Sequence, residues 1–195
     1  MPSSRRRGGA RHPPPSAEGR LPGAAILGAM AALRQLQLRY DAVEDRILLR
    51  VSTQQDQAFR LWLTRRYCTL LLAVLDEYQR LDPEVAERPT EEARRAVQRF
   101  KEEAAGSRAD FGREFREPAE RPLGDAPMLA WRLTYRADEA RLQLTFSPQR
   151  GQGVTFTLDR QLGLNLHSML TQTVRAADWG LLPRQAPAAE HRVVN

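Results

Sequence analysis

The chain contains the same pattern twice, 95 positions apart, and this repeat constrains the possible folds more than any other feature. The stretch LQLRYDAVEDRILLRV, residues 36–51, aligns without a gap on WRLTYRADEARLQLTF, residues 131–146. Over residues 36–81 and 131–176 there are 14 identities in 46 positions. Typical residue frequencies give about three such identities by chance. The match predicts an internal duplication in which each copy is one structural unit.

Each copy is predicted to form three strands followed by a helix. Apolar and polar residues alternate over three short runs, the pattern of half-buried strands, and short polar turns between the runs favour antiparallel meanders. Thr64 and Asp159 stand at equivalent positions after the third strand and are good N-cap residues, which predicts helices from Arg65 to Leu81 and from Arg160 to Ala177. The predicted inward residues are Leu36, Leu38, Tyr40, Ile47, Leu49, Val51, Phe59, Leu61, Leu63, Trp131, Leu133, Tyr135, Leu142, Leu144, Phe146, Val154, Phe156 and Leu158.

The predicted fold class is α+β, an internal duplication of a β-β-β-α unit with antiparallel meander sheets and helices packed on one face. One domain is expected over residues 26–182, made of the copies 36–81 and 131–176 and a helical insert at 82–127. The tails, residues 1–25 and 183–195, are rich in Pro, Gly, Ala and charged residues and are expected to be disordered.

The insert is predicted to be mainly helical. Its stretch TEEARRAVQRFKEEAAG favours a helix that is capped by Thr90 and ends at Gly106. Phe111 and Phe115 are four positions apart, the spacing of one face of a second, short helix.

The chain is basic, with a net charge of +6 and a pI near 10.3. Residues 1–20 contain five arginines and one glutamate, so most of the excess positive charge lies in the N-terminal tail. Every basic residue except Lys101 is arginine. Arginine suits bidentate contacts with phosphate, although a GC-rich genome would produce the same bias.

A cytoplasmic protein without a membrane segment is expected. The longest apolar run, TLLLAVL at residues 69–75, is far too short to cross a bilayer, and the N-terminus lacks the pattern of a secretory signal. The single cysteine, Cys68, excludes an internal disulfide, which suits a reducing compartment.

No catalytic constellation is recognisable, so we expect no enzyme activity, no cofactor and no small-molecule substrate. The three histidines, His12, His167 and His191, are scattered, which argues against a metal site. Cys68 lies on an apolar helix, where a core role is expected rather than a nucleophilic one.

The outward face of the sheets is the candidate site. Alternation turns arginine, threonine, glutamine and one tryptophan away from the core, a composition that suits contacts with single-stranded DNA or RNA. An ordinary solvated face of an antiparallel sheet has a similar composition. The residues expected to bind nucleic acid are Arg39, Arg46, Arg50, Arg60, Trp62, Arg132 and Arg141.

An interaction or assembly module, for instance a homodimer or a subunit of a larger complex, is the alternative. The first helix, residues 65–81, is apolar nearly all round and must be covered by the insert or by a second subunit. Leu48 and Trp62 on the outward face would also suit a protein partner.

The tandem arrangement of strands and a helix resembles the layout of the Pur-alpha-type repeats and of the Whirly-type single-strand binders. Those families have four strands before each helix, where this sequence predicts three. The resemblance implies binding of single-stranded nucleic acid on the sheets.

The alignment also predicts equivalent contacts in the two copies. Tyr40 and Tyr135 should both face inward with their hydroxyls near the rim. Arg65 and Arg160 both begin a helix, where a cation is unfavourable, which predicts that they pair with Glu44 and Glu139 respectively.

Overall fold

The computed structural model describes residues 26–28, 33–108 and 114–181. The predicted tails and Phe111 therefore lie outside the described residues. The strands are β1 Ile26–Gly28, β2 Leu33–Asp41, β3 Arg46–Thr53, β4 Ala58–Leu63, β5 Met128–Leu129, β6 Arg132–Ala137, β7 Arg141–Ser147 and β8 Gly153–Asp159. The helices are α1 Arg65–Arg80, α2 Pro83–Ala86, α3 Glu91–Arg108 and α4 Arg160–Ala176.

The strands form two sheets of four, and the α+β class with antiparallel-rich sheets is confirmed. The first sheet has the order β2-β3-β4-β5 and the second the order β1-β8-β7-β6. In each sheet three strands pair antiparallel as a meander, as predicted. The fourth strand of each sheet was not predicted and pairs in parallel: β5 joins β4, and β1 joins β8.

The parallel strands cross between the two halves of the chain. β5 directly precedes the second meander but completes the sheet of the first, whereas β1 precedes the first meander and completes the sheet of the second. With two and three residues, these strands are too short to show an alternating pattern in the sequence.

The two meanders agree in one hairpin and differ in the other. Leu49 pairs with Leu61 between β3 and β4, and Leu144 pairs with Phe156 between β7 and β8, which is the same register at an offset of 95. In the other hairpin Leu49 pairs with Leu38, but Leu144 pairs with Tyr135, so that β6 is displaced by two residues relative to β2. A shift of two residues keeps every side chain on its predicted face.

The inner faces of both sheets pack into one core. The rings of Phe59 and Phe156 meet at 5.5 Å between centroids, and Tyr67 of α1 stacks on Phe146 at 6.0 Å. α1 contacts β6 of the second sheet, where the Tyr67 hydroxyl donates to the Arg132 carbonyl at 3.2 Å. α4 in turn contacts β2 of the first sheet. Each helix therefore covers the sheet of the other half.

Helices α1 and α4 begin where the sequence predicts. The side chain of Thr64 accepts a hydrogen bond from the Tyr67 N–H at 3.3 Å, and the side chain of Asp159 accepts one from the Leu162 N–H at 2.8 Å. These caps satisfy backbone donors that the first turn of a helix leaves free. No helix in the described part of the chain is long and apolar enough to cross a membrane.

The apolar surface of α1 is covered within the chain. α4, β6 and α2 pack around it, and eight of its residues are buried. Leu70 remains 45% exposed. Neighbouring elements of the same chain, including part of the insert, thus provide the cover that the all-round apolar pattern demands.

Two predicted core residues are instead exposed. Trp131 is 58% exposed because it lies where the chain passes from the first sheet to the second, before β6 begins. Tyr135 is 40% exposed because it lies on an edge strand, and its hydroxyl donates to Glu77 of α1 at 2.7 Å.

Neither ion pair predicted at the helix starts is formed. Arg65 pairs with Asp45 at 2.5 Å, since Asp45 takes a φ of +49° and turns its carboxylate to the helix, while Glu44 pairs with Arg46. Arg160 donates its Nε–H to the backbone carbonyl of Glu139 at 2.6 Å. Because β6 has a different register from β2, the turn between β6 and β7 differs from the turn between β2 and β3. The Glu139 carboxylate therefore does not take the position that the Asp45 carboxylate takes beside Arg65.

The insert differs from its prediction after α3. This helix begins after Thr90, whose hydroxyl accepts from the Ala93 N–H at 3.2 Å, but it continues two residues past Gly106 to Arg108. Phe115 is not helical. It belongs to an extended segment that lies over the first sheet.

Candidate nucleic-acid interface

The predicted binding residues lie on the outer faces of both sheets, and they divide unequally. Cross-strand partners share one face of a sheet, so the pairing of each residue identifies its side. Arg132 and Arg141 belong to the second sheet. The first sheet carries Arg39, Arg46, Arg50, Arg60 and Trp62.

On the first sheet four of these residues form two adjacent rows, and Arg46 pairs with Asp41 at the end of the hairpin. Leu48 pairs with Arg39 on one side and with Trp62 on the other, which makes a mixed cationic and apolar row. Arg50 pairs directly with Arg60 in the next row. Two like charges facing each other across strands are unfavourable unless a counter-charge lies between them.

Glu117 supplies that counter-charge from the insert. Its carboxylate lies 3.7 Å from Nη1 of Arg50 and 3.5 Å from Nε of Arg60. Nε of Arg121 approaches the same carboxylate at 3.3 Å. The sequence predicts an open outer face on the first sheet. In the structure an acidic side chain of the same chain lies on this face and neutralises part of its positive charge.

Residues 114–121, here called the strap, hold Glu117 in this position. Phe115 is only 8% exposed, and the guanidinium carbon of Arg50 lies 4.7 Å from the centroid of its ring, which is cation–π distance. The Gln35 side chain donates to the Glu114 carbonyl at 3.0 Å and accepts from the Arg116 N–H at 3.2 Å. These contacts fix the strap against β2 and β3.

The far end of the strap joins the edge of the first sheet. The Ala58 N–H donates to the Glu120 carbonyl at 2.8 Å, and the Gln57 side chain donates to the Glu120 carboxylate at 2.8 Å. Glu120 and Gln57 form a parallel bridge. At the offset of 95 residues, this bridge has the same register as the pairing of β1 with β8.

The outer face of the second sheet carries hydroxyl and guanidinium side chains in the part of the chain that the structure describes. Thr134, Thr145 and Thr155 form a row across β6, β7 and β8, and the hydroxyls of Thr145 and Thr155 are hydrogen-bonded at 2.8 Å. Arginines flank this row. Arg132, Arg136 and Arg141 are exposed, and none of them forms an ion pair with another described residue.

Sequence reasoning missed two residues that shape these surfaces. Strand parity alone predicts that Trp131 faces the core, whereas its side chain is 58% exposed. Glu117 lies in a loop that carries no periodic signal. The only available hint was its acidic charge close to an arginine-rich sheet.

The side chains that most resemble catalytic groups, Cys68 and His167, are buried between elements of the fold. Cys68 is fully buried, and burial raises the pKa of its thiol to about 12, so that it stays protonated near neutral pH. His167 is buried between Asp76 and Glu102, with Nε2 2.9 Å from the Asp76 carboxylate and Nδ1 3.6 Å from that of Glu102. Burial raises the pKa of Glu102. This cluster connects α1, α3 and α4.

Comparison with known proteins finds no matching family, no matching curated protein and no matching solved structure.

Proposed function

We propose that this chain is a non-enzymatic protein that binds single-stranded DNA or RNA on the outer faces of its sheets. In this proposal the second sheet is the principal binding surface, and the basic residues 1–20 add phosphate contacts that do not depend on base sequence. The arginines of the first sheet, Arg39, Arg46, Arg50 and Arg60, extend the surface to the extent that the strap leaves them accessible.

The observation that carries the proposal is the state of the second face. Three exposed arginines lie beside a row of threonine hydroxyls, and none of the three is paired with a carboxylate of the described chain. Free guanidinium groups bind phosphate oxygens in a bidentate manner, and hydroxyls hydrogen-bond to phosphate and sugar. An exposed tryptophan, Trp131, next to Arg132 adds a surface on which a base can stack.

The direct test is the affinity for a fluorescein-labelled oligothymidylate, measured by anisotropy over a range of salt concentrations. Contacts from three arginines give a slope of log K against log salt of about −2 for a single strand. A variant that lacks residues 1–20 should bind more weakly and with a shallower slope. A duplex of the same length is the control for non-specific attraction, and the absence of binding by the full chain at low salt would refute the proposal.

We also propose that the two meanders are copies of one duplicated unit. The matching register of β3–β4 and β7–β8 at the offset of 95 supports this proposal, as do the equivalent helix caps Thr64 and Asp159. In an experimentally determined structure, residues 46–80 and 141–175 should superpose through one rotation, with Arg46 and Arg141 on corresponding outer positions. Failure to superpose would contradict the duplication.

The alternative function, an assembly module that docks through residues 65–81, loses its main motivation because α1 is covered within the chain. Leu70, Leu129 and Trp131 remain as exposed apolar side chains on which a homo-oligomer or a protein partner could dock. Light scattering across a range of protein concentrations tests this alternative. A monomer at high concentration, with no co-purifying protein, would argue against it.

A further inference from the structure

The strap presents to the first sheet the two chemical features that a single-stranded nucleic acid would present. The Phe115 ring lies against the Arg50 guanidinium, as an unstacked base would. The Glu117 carboxylate lies between Arg50 and Arg60, as a backbone phosphate would. A planar ring and an anion thus occupy neighbouring positions on one arginine row.

We propose that residues 114–121 are an internal competitor for nucleic acid, which occupies the arginine row of the first sheet and yields it when a strand binds. This inference rests on the proposed function and adds a regulation to it. With the strap in place, Arg50 and Arg60 are withheld from the binding surface. With the strap displaced, Arg50 and Arg60 join the binding surface.

The geometry of the Glu117 contacts suits displacement. Its distances of 3.7 Å to Arg50 and 3.5 Å to Arg60 exceed the roughly 2.8 Å of a strong charge-assisted hydrogen bond. The Nε atoms of Arg50 and Arg60 are buried and have no hydrogen-bond partner among the described residues. A phosphate has more acceptor oxygens than this carboxylate at the same place and can satisfy donors that Glu117 leaves unused.

The strap also has features of a segment that can leave without unfolding the core. Its backbone is held by the Gln35 side chain and by the edge of β4, not by a ladder with both neighbours. Of its eight residues, Phe115 and Pro118 are buried, and they lie on the outer side of the sheet, away from the core that the two sheets share. A purely structural cover would share these contacts, and the experiment distinguishes the two roles.

The test compares Glu117→Gln with Glu114→Gln in the full chain. Both changes remove one negative charge from the strap, but only Glu117 contacts the arginine row, whereas Glu114 is exposed and contributes its backbone carbonyl. Glu117→Gln should raise the affinity for oligothymidylate about tenfold at low salt. It should also steepen the salt slope by about 1.4, the value for two added phosphate contacts. Glu114→Gln should change the affinity less than twofold.

A triple variant locates the gain. When Arg50→Gln and Arg60→Gln are added to Glu117→Gln, the extra affinity should disappear and the wild-type affinity should return. The same two arginine changes in the presence of Glu117 should have little effect. If Glu117→Gln and Glu114→Gln raise the affinity equally, or if the triple variant keeps the gain, the strap is a structural cover and the inference is overturned.

Limited digestion with chymotrypsin follows the strap without any ligand. Cleavage after Phe115 requires its ring to leave the sheet, so Glu117→Gln should accelerate this cut several-fold and Glu114→Gln should not. Unchanged cleavage in Glu117→Gln would count against the inference. If the wild-type chain binds oligothymidylate and Glu117→Gln binds it with the same affinity, the competitor role of the strap is refuted and the proposed function stands. Binding by neither chain refutes both.

Discussion

The outer faces of the two sheets arise from meanders of similar sequence, yet the strap lies on only one of them among the described residues. On the first sheet Arg50 and Arg60 share the Glu117 carboxylate beneath a buried phenylalanine. On the second sheet Arg132, Arg136 and Arg141 face solvent without ion pairs among the described residues. Strand alternation determines which side chains leave the core, but a segment distant in sequence determines whether they are accessible. This difference is the reason why we propose the second sheet as the principal binding surface.

The largest expected effect concerns the core that both faces share. Phe59→Ala and Phe156→Ala each remove a buried ring from the contact between the sheets and should each lower the free energy of unfolding by about 3–5 kcal/mol. Urea unfolding, followed by circular dichroism and by tryptophan fluorescence, should show one coincident transition in each variant. Leu70→Ala, at a 45% exposed position, is the control and should cost about 1 kcal/mol or less. Two separate transitions would mean that the faces belong to independent units, and the comparison would fail.

The second effect separates the two faces directly. Arg132→Gln with Arg141→Gln should weaken oligothymidylate binding on the order of thirtyfold at low salt and reduce the salt slope by about 1.4. Arg50→Gln with Arg60→Gln should change the affinity of the otherwise unaltered chain by less than about threefold, because Glu117 already occupies those side chains. Titration by anisotropy measures both. Equal losses from the two double variants would show that the faces do not differ in binding.

A smaller effect is expected for the aromatic residues. Trp131→Ala should weaken binding about tenfold, within the roughly 1–3 kcal/mol of one stacked base. Trp62→Ala should have little effect, because Trp62 is half-buried on the face that bears the strap. Quenching of tryptophan fluorescence by the oligonucleotide should decrease in Trp131→Ala. A stronger loss of binding from Trp62→Ala would reverse the assignment of the two faces.

The smallest expected effect is on thermal stability, and it concerns the turns that connect the first two strands of each meander. Asp45 accepts hydrogen bonds from the Trp179 indole at 2.7 Å and from Arg65, and these lower its carboxyl pKa. Its contribution to stability should therefore be present above about pH 4 and lost as the pH falls through the lowered pKa. Asp45→Asn should lower Tm at pH 7 and should converge with the parent chain as the pH falls below the lowered pKa of Asp45.

Asp138, in the turn between β6 and β7, provides the comparison. The backbone N–H groups of Ala140 and Arg141 lower its pKa, so its carboxylate stabilises its own turn and does not connect distant elements. Asp138→Asn should lower Tm less than Asp45→Asn at pH 7. Thermal unfolding at several pH values decides the order, and a larger loss from Asp138→Asn would contradict it.

The sequence predicts the elements of the meanders and the direction of their side chains. The alternation of Ile47, Leu49 and Val51 and the caps Thr64 and Asp159 are local signals, so they fix the strand faces and the helix starts without knowledge of the fold. The same reasoning placed all seven candidate residues on outer faces. It could not tell a covered face from a bare one, because that distinction depends on long-range packing.

The features that the sequence does not predict correctly have a common physical cause. β1 and β5 gain their strand conformation from the neighbour they pair with, and segments of two or three residues carry no preference of their own. Tyr40 and Tyr135 are identical in the alignment. Because β6 is displaced, they nevertheless occupy positions in their sheets that differ by two residues. The prediction that Trp131 faces the core is wrong for a related reason. The alternation of inward and outward side chains does not hold where the chain passes from one sheet to the other.

The crossing parallel strands bear on how the chain can fold as it leaves the ribosome. β4 can pair with β3 early, but its other edge stays open until residues 128–129 have been synthesised. β1 is made first, yet it has no partner until β8 emerges more than a hundred residues later. An unpaired strand edge invites pairing with other chains. Nascent molecules of this protein therefore pass through a long interval in which neither sheet is complete.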